Sequence, residues 1–309
     1  MSEAAHHTPG FRTGYVAIIG EPNVGKSTLM NGLLQQKISI VTPKAQTTRH
    51  KVLGILSTDS YQMIFLDTPG IIKPKYLLQE MMMDFASAAI LDADLILYMI
   101  DATKPRMDAD LEHEEAFSRL KEISKPVYLV INKMDAVEKN VLLPVMEFYA
   151  KTFPFKEIFP ISALKSDGTS ELLTTIAAVL PEHPPLYPTD IVSEQSERFF
   201  VSEIIREKIF MATQDEIPYS VAVDVVEFKE REAGKTFIRA EIYVERDSQK
   251  GILIGKKGAM LKEIGAKSRK SVEDFLRHPV YLELHVKVQT EWRANKNALS
   301  RLGYTPNKT

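Results

Sequence analysis

The sequence predicts a doubly wound α/β sheet of mostly parallel strands, followed by a second, smaller α+β domain. Three observations carry this. Short apolar runs alternate with helical spacings between residues 15 and 180, as in a sheet covered by helices on both faces. Four prolines fall within eight positions of PEHPPLYPTD, residues 181–190, a stretch that cannot continue a helix and reads as a semi-rigid linker. Beyond it the order changes to α-β-β-α-α-β plus one helix. At 309 residues, 44% of them hydrophobic, the chain has material for two cores. The expected segments are a flexible N-terminus (1–14), an α/β domain (15–182), a proline-rich linker (183–192) and a second domain with a closing helix (193–309).

The elements follow in order. YVAIIG (15–20) is a short apolar strand, and KSTLMNGLLQQ (26–36) has helical spacing. TPKAQTTRH (42–50) is polar and aperiodic, so it reads as a loop. HKVLGIL and YQMIFLD (61–67) read as paired strands, and LLQEMMMDFASAAI (77–90) as a helix. DLILYMID (94–101) and PVYLVIN (126–132) are continuous apolar runs, as expected for strands buried on both faces. DADLEHEEAFSRLKEI between them is helical, with Asp108, Asp110, Glu112, Glu114 and Glu115 on a solvated acidic face. EIFPIS (157–162) is a further strand and SELLTTIAAVL (170–180) a further helix. In the second part SERFFVSEIIREKIFMAT (196–213) is helical, YSVAVDVVEFKE (219–230) and KTFIRAEIYVE (235–245) alternate as strands, and GAMLKEIGAKSRKSVEDFL (258–276) is helical. VYLELHVKV (280–288) is a strand, and EWRANKNALSRL (291–302) closes the chain as a helix on which Trp292 is a packing anchor.

Bulk properties exclude little. The formal net charge is −2. There is no cysteine, which removes disulfides and thiolate metal sites. No apolar run reaches the ~18 residues of a membrane span, and MSEAAHHTPG lacks the apolar core of a signal peptide. The expected location is the cytoplasm. Charge is uneven locally: residues 246–270 hold eight Lys or Arg against Asp247 and Glu263, or +6.

GEPNVGKS (20–27) fits G-x-x-x-x-G-K-[ST] between a strand and a helix. Gly20 and Gly25 let the backbone wrap a polyphosphate, whose oxygens face N–H groups and the helix N-terminus. Lys26 neutralises phosphate, and the Ser27 hydroxyl is a Mg²⁺ ligand. DTPG (67–70) ends a strand; Asp67 can hold a Mg²⁺-bound water and the Gly70 N–H can sense a γ-phosphate. NKMD (132–135) ends another strand. A carboxylate at Asp135 accepts from guanine N1–H and the N2 amine, groups that adenine lacks. Sites built around a specific hydrogen bond reject analogues without it by roughly 10⁴–10⁵. In ISAL (161–164) the Ala163 N–H is expected to meet guanine O6. Four motifs in order, each after a strand, resemble a GTPase of the translation-factor-like class over residues 15–180.

The expected nucleotide site is therefore Gly20, Glu21, Pro22, Asn23, Val24, Gly25, Lys26, Ser27 and Thr28, with Asp67, Thr68, Pro69, Gly70 and Ile71, then Asn132, Lys133, Met134 and Asp135, then Ser162, Ala163 and Leu164. Ser27, Asp67 and Thr48 are the expected Mg²⁺ set, with Thr47 the alternate to Thr48. Lys26, Thr48 and Gly70 are the expected catalytic residues. Ras-like GTPases carry a glutamine after the last glycine of the second motif to orient water; here Ile71 follows Gly70. Hydrolysis is expected to be slow unaided. Some GTPases that lack the glutamine and resemble this loop hold K⁺ with the residue equivalent to Asn23.

A second glycine–lysine loop, GKKG (255–258), has only two residues between its glycines and no Ser or Thr after its lysines. That rules out a nucleotide loop. It fits the G-x-x-G of KH domains, which clamps about four nucleotides of a single strand. The element order is that of the prokaryotic, type II KH domain. The expected RNA-binding residues are Lys250, Ile254, Gly255, Lys256, Lys257, Gly258, Lys262 and Arg269, with Ile252 and Leu261 as further groove wall.

An N-terminal P-loop GTPase domain with a C-terminal KH domain resembles the Era-like family of bacterial ribosome-assembly GTPases over essentially the whole chain. The stretches that carry this are GEPNVGKS, KAQTTRH, DTPGI, NKMD, YVERDSQKGILIGKKG and VYLELHVKV. The resemblance implies GTP/GDP with Mg²⁺, binding of the 3′ end of 16S rRNA in the 30S subunit, GTP-dependent control of that contact, a monomer, and a peripheral link to the inner membrane. Glu21 departs from the basic residue often found there. The residues also leave a rival open: a signalling GTPase whose KH-like domain binds protein or membrane.

Overall fold

The computed structural model describes residues 10–108, 111, 114–230 and 234–304. The strands are β1 (Arg12–Gly20), β2 (Val52–Ser57), β3 (Tyr61–Asp67), β4 (Leu95–Asp101), β5 (Val127–Asn132), β6 (Glu157–Pro160), β7 (Ala222–Lys229), β8 (Thr236–Val244) and β9 (Val280–Val288). The α-helices are α1 (Lys26–Leu34), α2 (Leu77–Asp92), α3 (Glu115–Leu120), α4 (Lys139–Thr152), α5 (Thr169–Val179), α6 (Glu197–Ala212), α7 (Ile217–Ser220), α8 (Asp247–Ile254), α9 (Ala259–Leu276) and α10 (Lys296–Arg301). The chain divides into two compact units. The first holds the residues up to Ser39, Thr48–Lys73 and Met82–Glu194; the second holds Ile40–Thr47, Pro74–Met81 and the chain from Gln195 on.

The first unit is built on a six-stranded sheet of order β2-β3-β1-β4-β5-β6. β2 runs antiparallel to β3, and the other pairs are parallel. The apolar runs of β4 and β5 are buried almost throughout, because helices cover both faces. The chain steps from β1 outward to β3 on one side and β4 on the other, and the C-terminal edge at such a switch point forms a crevice. Register places Ile18 of β1 beside Asp67 of β3, so the glycine loop and the Asp67 motif leave the sheet side by side. Met81, Met82 and Met83 on α2 are buried.

The proline-rich stretch, expected as a semi-rigid linker, is bonded along the first unit: Leu186 and Tyr187 amides donate to Gln62 Oε1, and the Ile55 amide donates to Val192 O. Within the helix expected over 108–123 the described residues form α3, and Glu114 is buried rather than solvated. Tyr98 O–H donates to Glu114 Oε1 at 3.2 Å, which draws that carboxylate inward. Asp110 and Glu112 lie outside the described residues.

The second unit has a three-stranded sheet, β7-β8-β9, with β7/β8 antiparallel and β8/β9 parallel. A parallel pair needs a crossover, and α8 and α9 supply it. Val201, Ile205 and Ile209 of α6, Leu253 of α8 and Ile264 and Val272 of α9 form one core with Ile238, Ala240 and Ile242 of β8. The 40–47 segment is held in this unit by polar contacts. Lys44 Nζ donates to Phe210 O at 2.5 Å and to Thr213 O, neutralising carbonyls at the C-terminus of α6. Arg206, buried and paired with Glu203, donates to Thr47 O at 2.6 Å. The Val41 amide donates to Glu207.

Trp292 is fully buried and its Nε1–H donates to Ser220 O at 2.9 Å. Trp292→Ala is expected to destabilise the second unit by about 3–5 kcal/mol. Urea unfolding followed by circular dichroism will show an early transition for that unit, while GDP binding in native buffer stays unchanged.

Candidate functional site

The glycine loop runs from the end of β1 into α1, whose N-cap is Gly25 in the left-handed region. Lys26 is buried, and its Nζ donates to Gly20 O at 3.1 Å and Glu21 O at 2.8 Å. Burial pushes its ammonium down to about 8, against the pull of Asp67 and Glu21. An approaching polyphosphate would stabilise the charged form that burial disfavours. Glu21, the departure at this loop, faces Arg106 at 3.5 Å, and Arg106 also stands 4.0 Å from Glu114. Burial, then the charge of Glu21, raises Glu114 to about 7. A basic side chain therefore stands beside this loop, supplied by Arg106. Nothing in the motif spacing points to it.

Asp67 is the hub of the expected metal set. It is buried, and burial holds its carboxyl above the usual range despite Ser27, Lys26, Ser39 and Thr48. Its Oδ2 accepts from Ser27 Oγ at 2.6 Å and Ser39 Oγ at 2.8 Å, with Thr48 Oγ1 at 3.5 Å. Ser27 Oγ and Thr48 Oγ1 are 2.9 Å apart. Thr47 Oγ1 instead bonds Thr42 Oγ1 and Lys44 O, both at 2.7 Å, so the geometry favours Thr48 of the two threonines. Asp67 Oδ1 is buried with no hydrogen-bond partner, a costly state for a carboxylate oxygen. Two hydroxyls and a buried carboxylate oxygen beside a polyphosphate loop suit Mg²⁺, which keeps waters and takes one or two carboxylates plus phosphates.

Thr68 Oγ1 donates to Ile18 O at 2.8 Å, fixing the turn after β3, and Pro69 and Gly70 are buried behind it. A Cβ on Gly70 would lie 2.7 Å from Pro22 N and Cα, so only glycine allows this approach to the first loop. Ile71 is buried with its amide on Gly20 O at 3.0 Å. It cannot orient a water.

At the base end, Asn132 is a brace. Its Nδ2 donates to Val24 O at 2.8 Å and its Oδ1 accepts from the Ala163 amide at 2.9 Å. The Ala163 N–H, the expected partner of guanine O6, thus donates to Asn132 in this arrangement. Lys133 Nζ donates to Asn23 O at 2.9 Å and to Asp101 Oδ2 at 2.5 Å, tying the base motif to the phosphate loop. The Met134 amide donates to Ile161 O. A hydrogen bond from Ser162 and the nearby Lys165, 3.7 Å away, hold the Asp135 carboxyl below its usual range, which keeps it an acceptor. Ser162 is buried and Leu164 exposed. Val24 is buried under the loop, and Thr28 is half-buried in the first turn of α1.

The second loop lies between α8 and α9 within the second unit. Gly255 has φ 70°, and a Cβ there would meet Met260 N at 2.9 Å. Lys257 adopts φ 52°. Lys256, Lys257, Lys262 and Arg269 are exposed, and Lys250 is half-buried. Ile254 and Leu261 pack on the core while Ile252 is exposed. The loop thus presents two lysines at the N-terminus of an 18-residue helix, a site suited to phosphate.

The model of the 50S ribosome-binding GTPase family matches residues 15–133, and that of the KH domain matches residues 216–293. The GTPase Era of Geotalea daltonii is 48% identical over 95% of this chain and 98% of its own length. The GTPase Era of Lacticaseibacillus paracasei is 48% identical over 98% of each. The chain belongs to the Era family of GTPases. Among solved structures, Aquifex aeolicus Era bound to GDP.AlF4⁻ shares 44% identity, with a TM-score of 0.89 over 96% of this chain and 100% of that one. Era in complex with MgGDPNP and nucleotides 1506–1542 of 16S ribosomal RNA shares 44% identity, with a TM-score of 0.90 over the same shares. Era-family membership fits the pairing of a nucleotide loop with a KH loop in one chain.

Asp135→Asn replaces an acceptor with an amide that has a donor facing guanine N1–H. GTP affinity is expected to fall by roughly 10⁴ while xanthosine triphosphate gains, which competitive binding of the two nucleotides will measure. Unchanged GTP affinity would exclude Asp135 as the base-reading group.

Proposed function

We propose that this chain hydrolyses GTP to GDP and phosphate and binds the 3′ end of 16S rRNA through its KH unit during small-subunit assembly. The observation that carries the reading is the pairing of two phosphate-suited loops of different construction. One has Lys26, Ser27 and a buried Asp67 oxygen; the other has two exposed lysines and nothing to hold a metal. The Era structure with MgGDPNP and a 16S rRNA fragment supports the same partners here.

A Mg²⁺ ion held by Ser27, Thr48 and Asp67 would supply charge neutralisation at the phosphates. The chain does the rest by position. Lys26 leaves the loop carbonyls for the phosphates. Ser27 and Thr48 would hold the ion through their hydroxyl oxygens while donating hydrogen bonds to Asp67 Oδ2, and Asp67 would serve it through Oδ1. Gly70 offers its amide to the γ-phosphate. Asp135 reads the base. Ile71 leaves the attacking water without a side-chain partner, so turnover is slow unless a cation is added. We assign that cation to K⁺ held at Asn23.

The nucleotide state and RNA binding are linked through the Thr47–Thr48 peptide on this reading. Thr48 answers to Ser27 and Asp67, whereas Thr47 O answers to Arg206. Among the described residues no helix is long and apolar enough to cross a membrane. A ribosomal RNA partner argues for action in the cytoplasm.

Crosslinking in cells followed by sequencing of bound RNA is expected to give a sharp peak at the 3′ end of 16S rRNA that Lys256→Asp/Lys257→Asp abolishes. In vitro the double variant should also flatten the salt dependence by roughly 0.7 log units per log salt for each phosphate that the lysines no longer neutralise. A diffuse profile, unchanged in the variant, would favour a KH-like unit that binds protein or membrane. GTP turnover is expected to be at least ~10-fold faster in KCl than in NaCl, since an added cation at the phosphates is worth up to ~10³ or more; Asn23→Ala should remove the difference.

A further inference from the structure

Ser39 belongs to none of the nucleotide motifs. It is 3% exposed, and its Oγ donates to Asp67 Oδ2 at 2.8 Å. Its backbone is fixed on both sides by one side chain. Asn31 Oδ1 accepts from the Ser39 amide at 2.9 Å and the Ile38 amide at 3.0 Å, and Asn31 Nδ2 donates to Ser39 O at 2.7 Å. Asn31 lies on α1, the helix that carries Ser27 in its first turn. One helix therefore delivers both strong donors to Asp67 Oδ2: Ser27 directly, and Ser39 through the Asn31 clamp.

The two oxygens of Asp67 are consequently unequal. Oδ2 is saturated by hydroxyls, while Oδ1 is buried with no partner. A carboxylate free to rotate would exchange the two. We infer that Ser39 is a positioning residue for the magnesium site, locking the Asp67 carboxylate so that Oδ1 alone faces the ion and its water. The inference rests on the magnesium reading given above. Partners that orient a metal-binding carboxylate typically affect metal affinity by 10–100-fold. The Ser39 hydroxyl acts through Asp67, so its effect is expected in the metal-dependent part of nucleotide binding.

The test is the rate of release of a fluorescent GDP from the full chain, titrated with Mg²⁺, alongside GDP affinity in EDTA. For Ser39→Ala the Mg²⁺ concentration that half-maximally slows release is expected to rise ~10-fold, with affinity in EDTA unchanged. Ser39→Thr, which keeps the hydroxyl, should restore the wild-type midpoint. An unmoved midpoint in Ser39→Ala overturns the inference. So does a loss of affinity in EDTA and of thermal stability without a midpoint shift, because that is the signature of a merely structural hydroxyl. If GDP release from the wild type ignored Mg²⁺ altogether, the magnesium reading itself would fall, and the inference with it.

Discussion

Two opposite charges buried at the end of one sheet set the terms for everything around them. Asp67 ends β3 and Lys26 opens α1 after the loop that leaves the neighbouring β1, and burial works against the charged form of each. Neither would hold in a dry core without compensation. Here loop carbonyls receive the ammonium and hydroxyls surround one carboxylate oxygen. The compensation is partial, since Asp67 Oδ1 has no partner. A polyphosphate with its magnesium ion would complete it. The site is folded around charges that a ligand finishes, which makes nucleotide affinity a consequence of the fold.

The base end is held by a few polar side chains that each serve two segments. Asn132 braces the phosphate loop and the Ala163 strand end together, and Lys133 ties Asn23 to Asp101. Asp135 is left at the surface with a depressed carboxyl to read the base. The KH unit follows another logic. Its core lies under α6, α8 and α9, and its loop exposes lysines without buried acceptors. Steep salt dependence is expected of such a loop and not of the buried site. Segment 40–47 belongs by its bonds to the second unit, although its sequence continues directly into Thr48 of the first.

Most of this was legible in the sequence because the chemistry is spaced along strand ends. Asp67 and Asn132 end a β-strand, Lys26, Ser27 and Asp135 follow one, and an apolar run announces each strand. The KH loop was legible from the glycine spacing and the order of elements around it. What escaped was set by packing between distant segments. Ser39 lies in an ordinary run, ISIV, with no motif to single it out, yet it reaches the central carboxylate. Glu114 stood within an acidic run that suggested a wet helix face, and Tyr98 drew it inside. The hydrogen bond from the Ala163 amide to Asn132 Oδ1 joins residues 31 positions apart and has no signature in the spacing. Arg206 belongs to no motif either, yet it is buried and holds Thr47 O.

The central claim is that nucleotide and RNA act on one linked switch. Linkage requires each ligand to change the affinity of the other by the same factor. The direct measurement is the Kd of a 16S rRNA 3′-end oligonucleotide for the chain loaded with GDP and with a non-hydrolysable GTP analogue, at one salt concentration. Tighter RNA binding with the analogue, and an equal factor of tightening for the analogue when RNA is present, is the expected result. Identical Kd values in the two nucleotide states would contradict it and leave two independent sites on one chain.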